Sequence, residues 1–404
     1  MKKKNVKNIW DKTIPPEKSA YNWVSDPILY ERSKKPDENK LHIVDLFCGP
    51  GGFSQGFSNA GFQSVLGVDI HKPSADTFHR NHPTAAVILG DMHKVSDDLI
   101  IQSVGDARVD VVAAGVPCQG FSLCNRKRNE SDERNFLFMQ FIRVVKLLKP
   151  KFVVLENVSG MVSSKNGFFV KEICKAIQEA GYPEVDVRLL NALEYGVPQL
   201  RRRLFFVGTT ANYEIRWPAP THGIGLKPVC STWDAIGDLP PLKPGQTLEE
   251  YSRPPKTEYQ KKMRGRMNSL QNHEAPNHPE ETVKKIGETK PGEPIYEKFK
   301  QRIRLHPERP SPTQVSGGIR PQFQFGHPTQ ARGLSIRERA RLQSFPDSYF
   351  FCGGVVQGRM QTGNAVPPFL AQAIAKQISD ILNGKPSSKD ALQKSPHQLE
   401  FAVT

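Results

Sequence analysis

The chain has 404 residues, 37% of them hydrophobic, and a formal net charge of +15 at pH 7 with a sequence pI of about 9.5. This length permits two or three domains with a sizeable core, and the basic excess predicts a polyanionic partner, nucleic acid before membrane. No apolar run approaches the ~20 residues that a membrane-spanning helix needs. Polar sequence follows the Lys-rich start, so no signal peptide is predicted.

The six cysteines show no paired CxxC spacing. A disulfide framework or a zinc site is therefore not expected, and a cytoplasmic location is predicted. The histidines do not form a recognisable set of metal ligands either, so no metal site is predicted. The histidines considered are His71, His79, His82, His93, His273 and His278.

Apolar runs alternate with helical patterns over residues 41–210. Strands are predicted at 41–47, 65–70, 85–89, 109–114, 152–155 and 204–208. Helices are predicted at 53–60, 133–148 and 171–179. Strands that alternate with helices favour an α/β fold, with a mostly parallel sheet covered by helices on both faces.

Three further regions flank this one. Residues 1–40 form a charged N-terminal extension, whose aromatic residues Tyr21, Trp23 and Tyr30 indicate that it docks on another surface. Residues 211–310 are rich in Pro, Gly, Lys and Arg with little periodicity, so they are either disordered or a loop-rich module that orders on a partner. The C-terminal part, 311–404, contains an arginine-rich helix at 335–343 and an amphipathic helix at 367–382.

The segment Val116–Ser122, Val-Pro-Cys-Gln-Gly-Phe-Ser, follows the predicted strand 109–114. A cysteine on the loop that leaves a strand is placed like a nucleophile, and a thiolate is a strong nucleophile even when only a small fraction is ionised. The alternative is that Cys118 is one more inert buried cysteine. The rest of the sequence favours the nucleophile.

A turn with three glycines, 45–52, connects the first predicted strand to a helix and lets the backbone approach a ligand closely. It is neither GxGxxG nor a P-loop. Asp69 and Asp91 follow the next two strands, where they can accept hydrogen bonds from ribose hydroxyls and from an adenine amino group. A nucleoside with a non-phosphate tail is predicted; the alternative is that both residues only cap turns.

Together, six segments resemble the cytosine-5 DNA methyltransferase family of bacterial restriction–modification systems. They are DLFCGPGGFS (45–54), GDM (90–92), GVPCQGFS (115–122), LENVSGM (155–161), QLRRRLFFVG (199–208) and QTGNAVPP (361–368). The resemblance covers about residues 41–380. It implies a class I S-adenosylmethionine-dependent methyltransferase, with a Rossmann-like, mostly parallel sheet and a smaller target-recognition domain.

The resemblance also implies which residues bind S-adenosylmethionine. Asp69 corresponds to the ribose-binding acid, followed by Ile70 as an apolar contact, and Asp91 to the adenine-binding acid. Asn364 returns to the cofactor pocket, with 358–383 packing on the catalytic domain. The expected cofactor-binding residues are Phe47, Gly49, Gly51, Gly52, Asp69, Ile70, Asp91, Met92 and Asn364.

In the chemistry implied by the resemblance, the Cys118 thiolate adds to carbon 6 of cytosine, which makes carbon 5 nucleophilic enough to accept a methyl group. Glu156 is expected to act on ring nitrogen 3; its alternative is a helix-initiating acid. Arg203, with Arg201, is expected to hold the carbonyl of the base, unless the three arginines are a solvated basic run. Strand alternation predicts Arg201 and Arg203 on one face and Arg202 on the other. No residue stands out as the base that removes the carbon 5 proton, and water is an alternative.

The target cytosine of duplex DNA must be flipped out before it can react. Basic side chains of 211–310 and of the helix segment 337–341 are expected to contact phosphates and to make binding steeply salt-dependent. The expected partners are double-stranded DNA and a cognate restriction endonuclease that acts on the same sequence, with no direct contact implied.

Two other functions are considered. One is a tRNA cytosine-5 methyltransferase on the same scaffold, although the Cys-Phe-Thr signature of that branch is not seen in the module. The other is a non-catalytic DNA-binding regulator, against which the presence of Cys118, Glu156 and Arg203 argues.

Overall fold

The structure, a computed structural model, describes residues 22–116, 136–163, 167–316 and 324–386. The strands are β1 (Ile28–Tyr30), β2 (His42–Leu46), β3 (Gln63–Asp69), β4 (Ala86–Leu89), β5 (Val111–Gly115), β6 (Phe152–Val158), β7 (Glu184–Asn191), β8 (Gln199–Leu200), β9 (Arg202–Thr209), β10 (Ile303–Arg304), β11 (Ser311–Pro312) and β12 (Phe325–Gly326). The helices are α1 (Gly52–Asn59), α2 (Lys72–Asn81), α3 (Asp97–Val104), α4 (Phe136–Leu148), α5 (Gly160–Ser163), α6 (Phe168–Glu179), α7 (Thr232–Ile236), α8 (Glu258–Arg264), α9 (Glu280–Glu288), α10 (Ile336–Leu342), α11 (Val355–Asn364) and α12 (Pro368–Leu382).

Eight strands form the main sheet, in the order β1-β4-β3-β2-β5-β6-β9-β7. The strands from β4 to β6 are parallel, while β1, β9 and β7 pair antiparallel with their neighbours. From β2 the chain moves outward through β3 to β4, and it then returns to the other side of β2 through β5 and β6. Ligands of such sheets bind beyond the carboxyl ends of the strands, at this point of reversal. The predicted α/β fold with a mostly parallel sheet is confirmed.

The central strands are buried on both faces of the sheet, which explains their continuous apolar runs. One face packs against α3, α4 and α6 through residues such as Phe141 and Ile173. The other packs against α1 and α12 through residues such as Phe57 and Ile374. The C-terminal helix thus contributes to the core of the sheet domain.

The N-terminal extension contributes an edge strand, because β1 pairs with β4. Just before β1, the amide of Val24 donates to Ile70 O at 2.9 Å, and the Val24 side chain is buried. The amide of Lys72 donates to Asn22 O, also at 2.9 Å. The sheet therefore extends beyond the boundary predicted at residue 41.

The region 211–310 is loop-rich, with three short helices, α7, α8 and α9, among its described elements. Its apolar core includes Ile236, Tyr259 and Leu270, and also Phe325 and Leu342 from later in the chain. Because this core uses residues from both sides of position 310, the division into domains at that position stays a prediction.

The expectation that the arginines of α10 contact DNA phosphates is wrong. Arg337, Arg339 and Arg341 are 0%, 3% and 0% exposed, respectively. Arg341 pairs with Asp238 and, at 2.7 Å, with Asp347. Guanidinium groups that are buried and hydrogen-bonded in this way hold α10 against the region 211–310 and are not available to DNA; we refer to this region together with α10 as the small domain. None of the described helices is long and apolar enough to cross a membrane.

Candidate active site

The glycine-rich turn between β2 and α1 lies at the carboxyl edge of the sheet. Phe47, Gly49 and Gly51 have positive φ angles of 54°, 53° and 94°. The amide of Gly49 donates to Asp69 Oδ2 at 2.8 Å. No other part of the described chain comes within 4 Å of the position that a Cβ of Gly49 would occupy. The turn therefore leaves open space next to its backbone, as a bound ligand requires.

The C-terminal segment closes over the other side of this turn. A Cβ on Gly52 would lie 2.1 Å from Val366 O, so only glycine fits there. Val366 follows Asn364, which is exposed at the end of α11. The predicted cofactor residues Gly52 and Asn364 are thus brought to the same place, although they are more than 300 residues apart in the sequence.

Asp69 is the last residue of β3, and Asp91 follows the adjacent parallel strand β4. Asp69 accepts the amide of His71 at 2.8 Å in addition to that of Gly49, and burial raises its pKa. Asp91 accepts the amide of His93 at 3.0 Å, and its side chain is 21% exposed. Ile70 is half-buried and Met92 is buried. Four predicted residues thus flank one stretch of the edge.

Sequence reasoning assigned no role to Asp45, which is buried near the end of β2. Its Oδ2 accepts the hydroxyl of Ser54 at 2.9 Å and the amide of Ser54 at 3.2 Å. Among the residues that the structure describes, none is a hydrogen-bond partner of its Oδ1, and burial raises the pKa of Asp45 to about 8. The signal in the sequence that could have identified Asp45 is the presence of an acidic residue inside an otherwise apolar strand.

Glu156 and Arg203 form an ion pair, with Arg203 Nε 2.7 Å from Glu156 Oε1. The two lie diagonally across the antiparallel strands β6 and β9, where Val158 is opposite Arg203. Their side chains are 11% and 13% exposed, so the pair is mostly shielded from water. A Cβ on Gly115 would lie 3.8 Å from Glu156 Oε2, so the end of β5 lies beside the carboxylate.

Arg201 does not pair with Glu156. It is buried and donates to Gln314 O at 2.8 Å, Gly363 O at 3.0 Å and Ala365 O at 3.1 Å. Burial lowers its pKa well below the ordinary value. Of the three consecutive arginines, Arg202 alone is exposed. The alternative that all three form a solvated basic run is therefore wrong.

Cys118 lies outside the described residues. Gly115 and Val116, which precede it in the chain, lie at the carboxyl end of β5. This strand is between β2, which leads into the glycine-rich turn, and β6, which carries Glu156. Among the described cysteines, Cys48 is buried, and burial raises the pKa of its thiol, in agreement with its having no chemical role. In the described ranges, no group of three His, Cys, Asp or Glu side chains could hold a metal ion.

Comparisons with known proteins agree with this geometry. The family model for C-5 cytosine-specific DNA methylase matches residues 41–380. The Type II methyltransferase M1.HphI of Haemophilus parahaemolyticus is 39% identical over 351 residues, which cover 84% of this chain and 86% of that protein. M.DdeI of Desulfomicrobium norvegicum is 36% identical over 374 residues, which cover 84% of this chain and 88% of that protein.

Solved structures give the same fold. One, described as a DNA modification methyltransferase encoded within an E. coli prophage, has a TM-score of 0.72 and 27% identity, covering 85% of this chain and 99% of that one. The DNMT2 of Spodoptera frugiperda has a TM-score of 0.56 and 15% identity over 84% of this chain and 99% of that one, which shows the fold alone. The chain therefore belongs to the C-5 cytosine-specific DNA methylase family and is an S-adenosylmethionine-dependent enzyme that methylates carbon 5 of cytosine in DNA.

Proposed function

We propose that this enzyme flips a cytosine out of a specific duplex sequence and holds it between Cys118 and the pair formed by Glu156 and Arg203. The observation that carries the proposal is this pair, which is mostly buried at the carboxyl edge of the sheet. Glu156 lies on β6, the strand next to β5, and the end of β5 leads to Cys118. Covalent activation of cytosine needs a nucleophile, an acid and a cation around one base.

In the proposed reaction, the Cys118 thiolate forms a bond to carbon 6 of the ring. The electron pair displaced toward ring nitrogen 3 is stabilised there by a proton or hydrogen bond from Glu156. Arg203 orients the Glu156 carboxyl and donates to the carbonyl of the base. Once carbon 5 carries the methyl group that the cofactor supplies, loss of the carbon 5 proton, return of any nitrogen 3 proton to Glu156 and departure of the thiolate regenerate the enzyme. Water is the acceptor of the carbon 5 proton when no side chain is in reach.

The cofactor site in this proposal comprises Phe47, Gly49, Gly51 and Gly52 with the residues at the carboxyl ends of β3 and β4. The open space at Gly49 fits a ligand that contacts the backbone. The amide of Gly90 donates to Asp69 O at 3.0 Å, so the turns carrying Asp69 and Asp91 are joined side by side. Carboxylates at the ends of two neighbouring strands suit the ribose and the adenine amino group. When bound, S-adenosylmethionine supplies an electrophilic methyl group.

Further residues complete the proposed site. Ile70 and Met92 provide apolar contacts to the adenosine, and Asn364 lies at the turn that covers Gly52. Arg201 is proposed to act through the backbone, since its bonds to Gly363 O and Ala365 O connect the residue before β9 with this same C-terminal turn. It is a positioning residue in this proposal, whereas Glu156 and Arg203 contact the base.

We also propose a cytoplasmic enzyme whose methylation protects host DNA from a restriction endonuclease that reads the same sequence. The names of the relatives as Type II methyltransferases support this role. The loop-rich region with α7, α8 and α9 is the proposed reader of the duplex. A tRNA methyltransferase and a non-catalytic regulator are the competing functions, and both can be tested against it.

Covalent trapping tests the proposed roles. The substrates are long duplexes in which 5-fluorodeoxycytidine replaces every deoxycytidine, so that each cytosine in its sequence context can be trapped. Fluorine cannot leave carbon 5 as a proton does, and the covalent adduct with the enzyme should therefore persist. We expect the wild type to form a DNA complex that survives denaturation in the presence of cofactor. Cys118→Ala should form none, and the control Cys230→Ala, which changes another free cysteine, should behave as the wild type. A trapped complex with Cys118→Ala would contradict the proposal.

A further inference from the structure

Two buried side chains that are distant in sequence, Tyr349 and His82, pack against the glycine-rich turn. The hydroxyl of Tyr349 donates to Pro50 O, the carbonyl before Gly51. His82 Nε2 lies 3.0 Å from the same hydroxyl oxygen. Tyr349 and His82 are 2% and 4% exposed, so water does not compete for these bonds.

The shape of the turn depends on this pair. Gly51 has a φ of 94°, and a Cβ there would lie 2.6 Å from the Tyr349 hydroxyl and 2.7 Å from His82 Nε2. The two side chains therefore fill the space directly beneath Gly51. Because the hydroxyl has one proton and gives it to Pro50, His82 Nε2 must carry a proton and donate to Tyr349. Burial lowers the pKa of His82 to about 4, which keeps the ring neutral.

Tyr349 is itself fixed by the elements around it. Asp347 accepts the hydroxyl of Tyr251 at 2.6 Å and is paired with Arg341. On the other side, the amide of Phe350 donates to Asn81 Oδ1 at 3.0 Å. The segment that carries Tyr349 is thus attached both to the small domain and to α2. A side chain mounted on such a rigid segment can fix the backbone that it touches.

We propose that Tyr349 and His82 are positioning residues that hold the Pro50–Gly51 backbone in the conformation that binds S-adenosylmethionine. The inference rests on the proposed cofactor site and adds to it two residues that do not contact the cofactor. Without the hydroxyl, the Pro50 carbonyl loses its donor, and the turn, with positive φ at Phe47, Gly49 and Gly51, populates other conformations. The apparent affinity then falls in proportion to the fraction of molecules with the competent turn.

The substitution Tyr349→Phe tests this, because it removes the hydroxyl and keeps the ring that contacts Phe345 and Phe351. Tyr182→Phe is a matched control. The Tyr182 hydroxyl also donates to a proline carbonyl, that of Pro150, at 2.8 Å, and Tyr182 is 3% exposed. Pro150 precedes β6, so this bond lies at the opposite edge of the sheet from the glycine-rich turn.

Titration calorimetry with S-adenosylhomocysteine measures binding without turnover. We expect Tyr349→Phe to bind about three- to tenfold more weakly and Tyr182→Phe to bind within twofold of the wild type. Steady-state assays should show a raised KM for S-adenosylmethionine at nearly unchanged kcat and unchanged KM for DNA. Equal affinities of the two variants would overturn the inference.

Asp91→Ala separates failure of the inference from failure of the site. If Asp91→Ala weakens binding and Tyr349→Phe does not, the cofactor site stands and the positioning role is wrong. If Asp91→Ala binds as tightly as the wild type, the proposed cofactor site is wrong, and the inference is overturned with it.

Discussion

At the residue scale, the proposed chemistry can be tested most directly at Glu156 and Arg203. Their 2.7 Å contact is enclosed between β6 and β9, and the carboxyl is the one acidic group that the proposed reaction uses on the base. Replacing Glu156 by Gln keeps the shape of the side chain and removes its capacity to transfer a proton.

We predict that Glu156→Gln lowers kcat by at least about 100-fold, the range of general acid catalysis, with little change in DNA affinity. Single-turnover methylation and DNA binding, measured on the same preparation, give the two quantities. Glu172→Gln, on the exposed side of α6, is the control and should behave as the wild type. An undiminished rate for Glu156→Gln would remove that residue from the mechanism.

His82 should make stability depend on pH. Its pKa is about 4 in the folded protein, against 6.5 for the free side chain. Between these values the unfolded chain takes up a proton that the folded protein does not, so stability is full above pH 6.5 and falls as the pH is lowered to 4. The loss is about 1.4 kcal/mol per pH unit, or roughly 3 kcal/mol over the window.

Urea unfolding of the wild type and of His82→Gln at several pH values isolates this contribution. We predict that the difference in unfolding free energy between the two proteins narrows as the pH falls from 6.5 to 4. Asp45, with a pKa of about 8, acts with the opposite sign, but it is common to both proteins and cancels. A difference that is constant over this window would show that His82 titrates normally.

Residue type alone predicted some of these environments and not others. Asp69 and Asp91 were found because an acidic residue directly after an apolar strand marks the ligand edge of a parallel sheet. The arginines of α10 were misplaced because a sequence shows charge but not burial. Buried Arg341 pairs not only with nearby Asp347 but also with Asp238, more than 100 residues earlier in the chain.

At the scale of elements, α1 and α12 pack closely because Gly56 has no side chain. A Cβ at Gly56 would lie 2.5 Å from the Cβ of Ala371 and 2.6 Å from Pro368 O. Gly287 in α9 is a matched helical glycine, whose nearest neighbour would be Ala331 Cβ at 3.3 Å.

We predict that Gly56→Ala lowers the free energy of unfolding by about 1–3 kcal/mol through overpacking. Gly287→Ala should change it by less than about 1 kcal/mol, with the higher helix propensity of alanine offsetting the tighter contact. Chemical denaturation of both variants checks this. Equal effects would mean that α12 does not press on α1 as described.

The strands buried on both faces were predictable from their apolar runs, and the antiparallel ones less so. The edge strand β7 begins Glu-Val-Asp-Val-Arg, in which charged and apolar residues alternate, a pattern that is typical of a partly exposed segment. Helices α2 and α3 were not predicted; α2 is polar overall and buries a narrow face that includes Ala75 and Phe78. The pairing of β1 with β4 depends on long-range contacts that no local pattern contains.

For the whole molecule, the net charge of +15 is the main physical feature that favours binding to the negatively charged backbone of DNA. Since the arginines of α10 are buried, phosphate contacts must come from exposed side chains elsewhere. Several described candidates in the small domain are exposed, including Lys261, Lys284 and Lys285.

We predict that the affinity for duplex DNA falls roughly 40-fold for each doubling of salt, as for a protein with about six phosphate contacts. Fluorescence anisotropy at several salt concentrations gives the slope. A flat response would be incompatible with an interface dominated by phosphates. The extent of the small domain was the least predictable feature, because its core joins segments from both sides of residue 310.

The most direct measurement is methyl transfer from labelled S-adenosylmethionine to unmethylated duplex DNA and, separately, to tRNA, with products digested to nucleosides. We predict label in 5-methyldeoxycytidine with the wild type and none with Cys118→Ala. Label in tRNA alone, or no label in either substrate while cofactor still binds, would contradict this prediction.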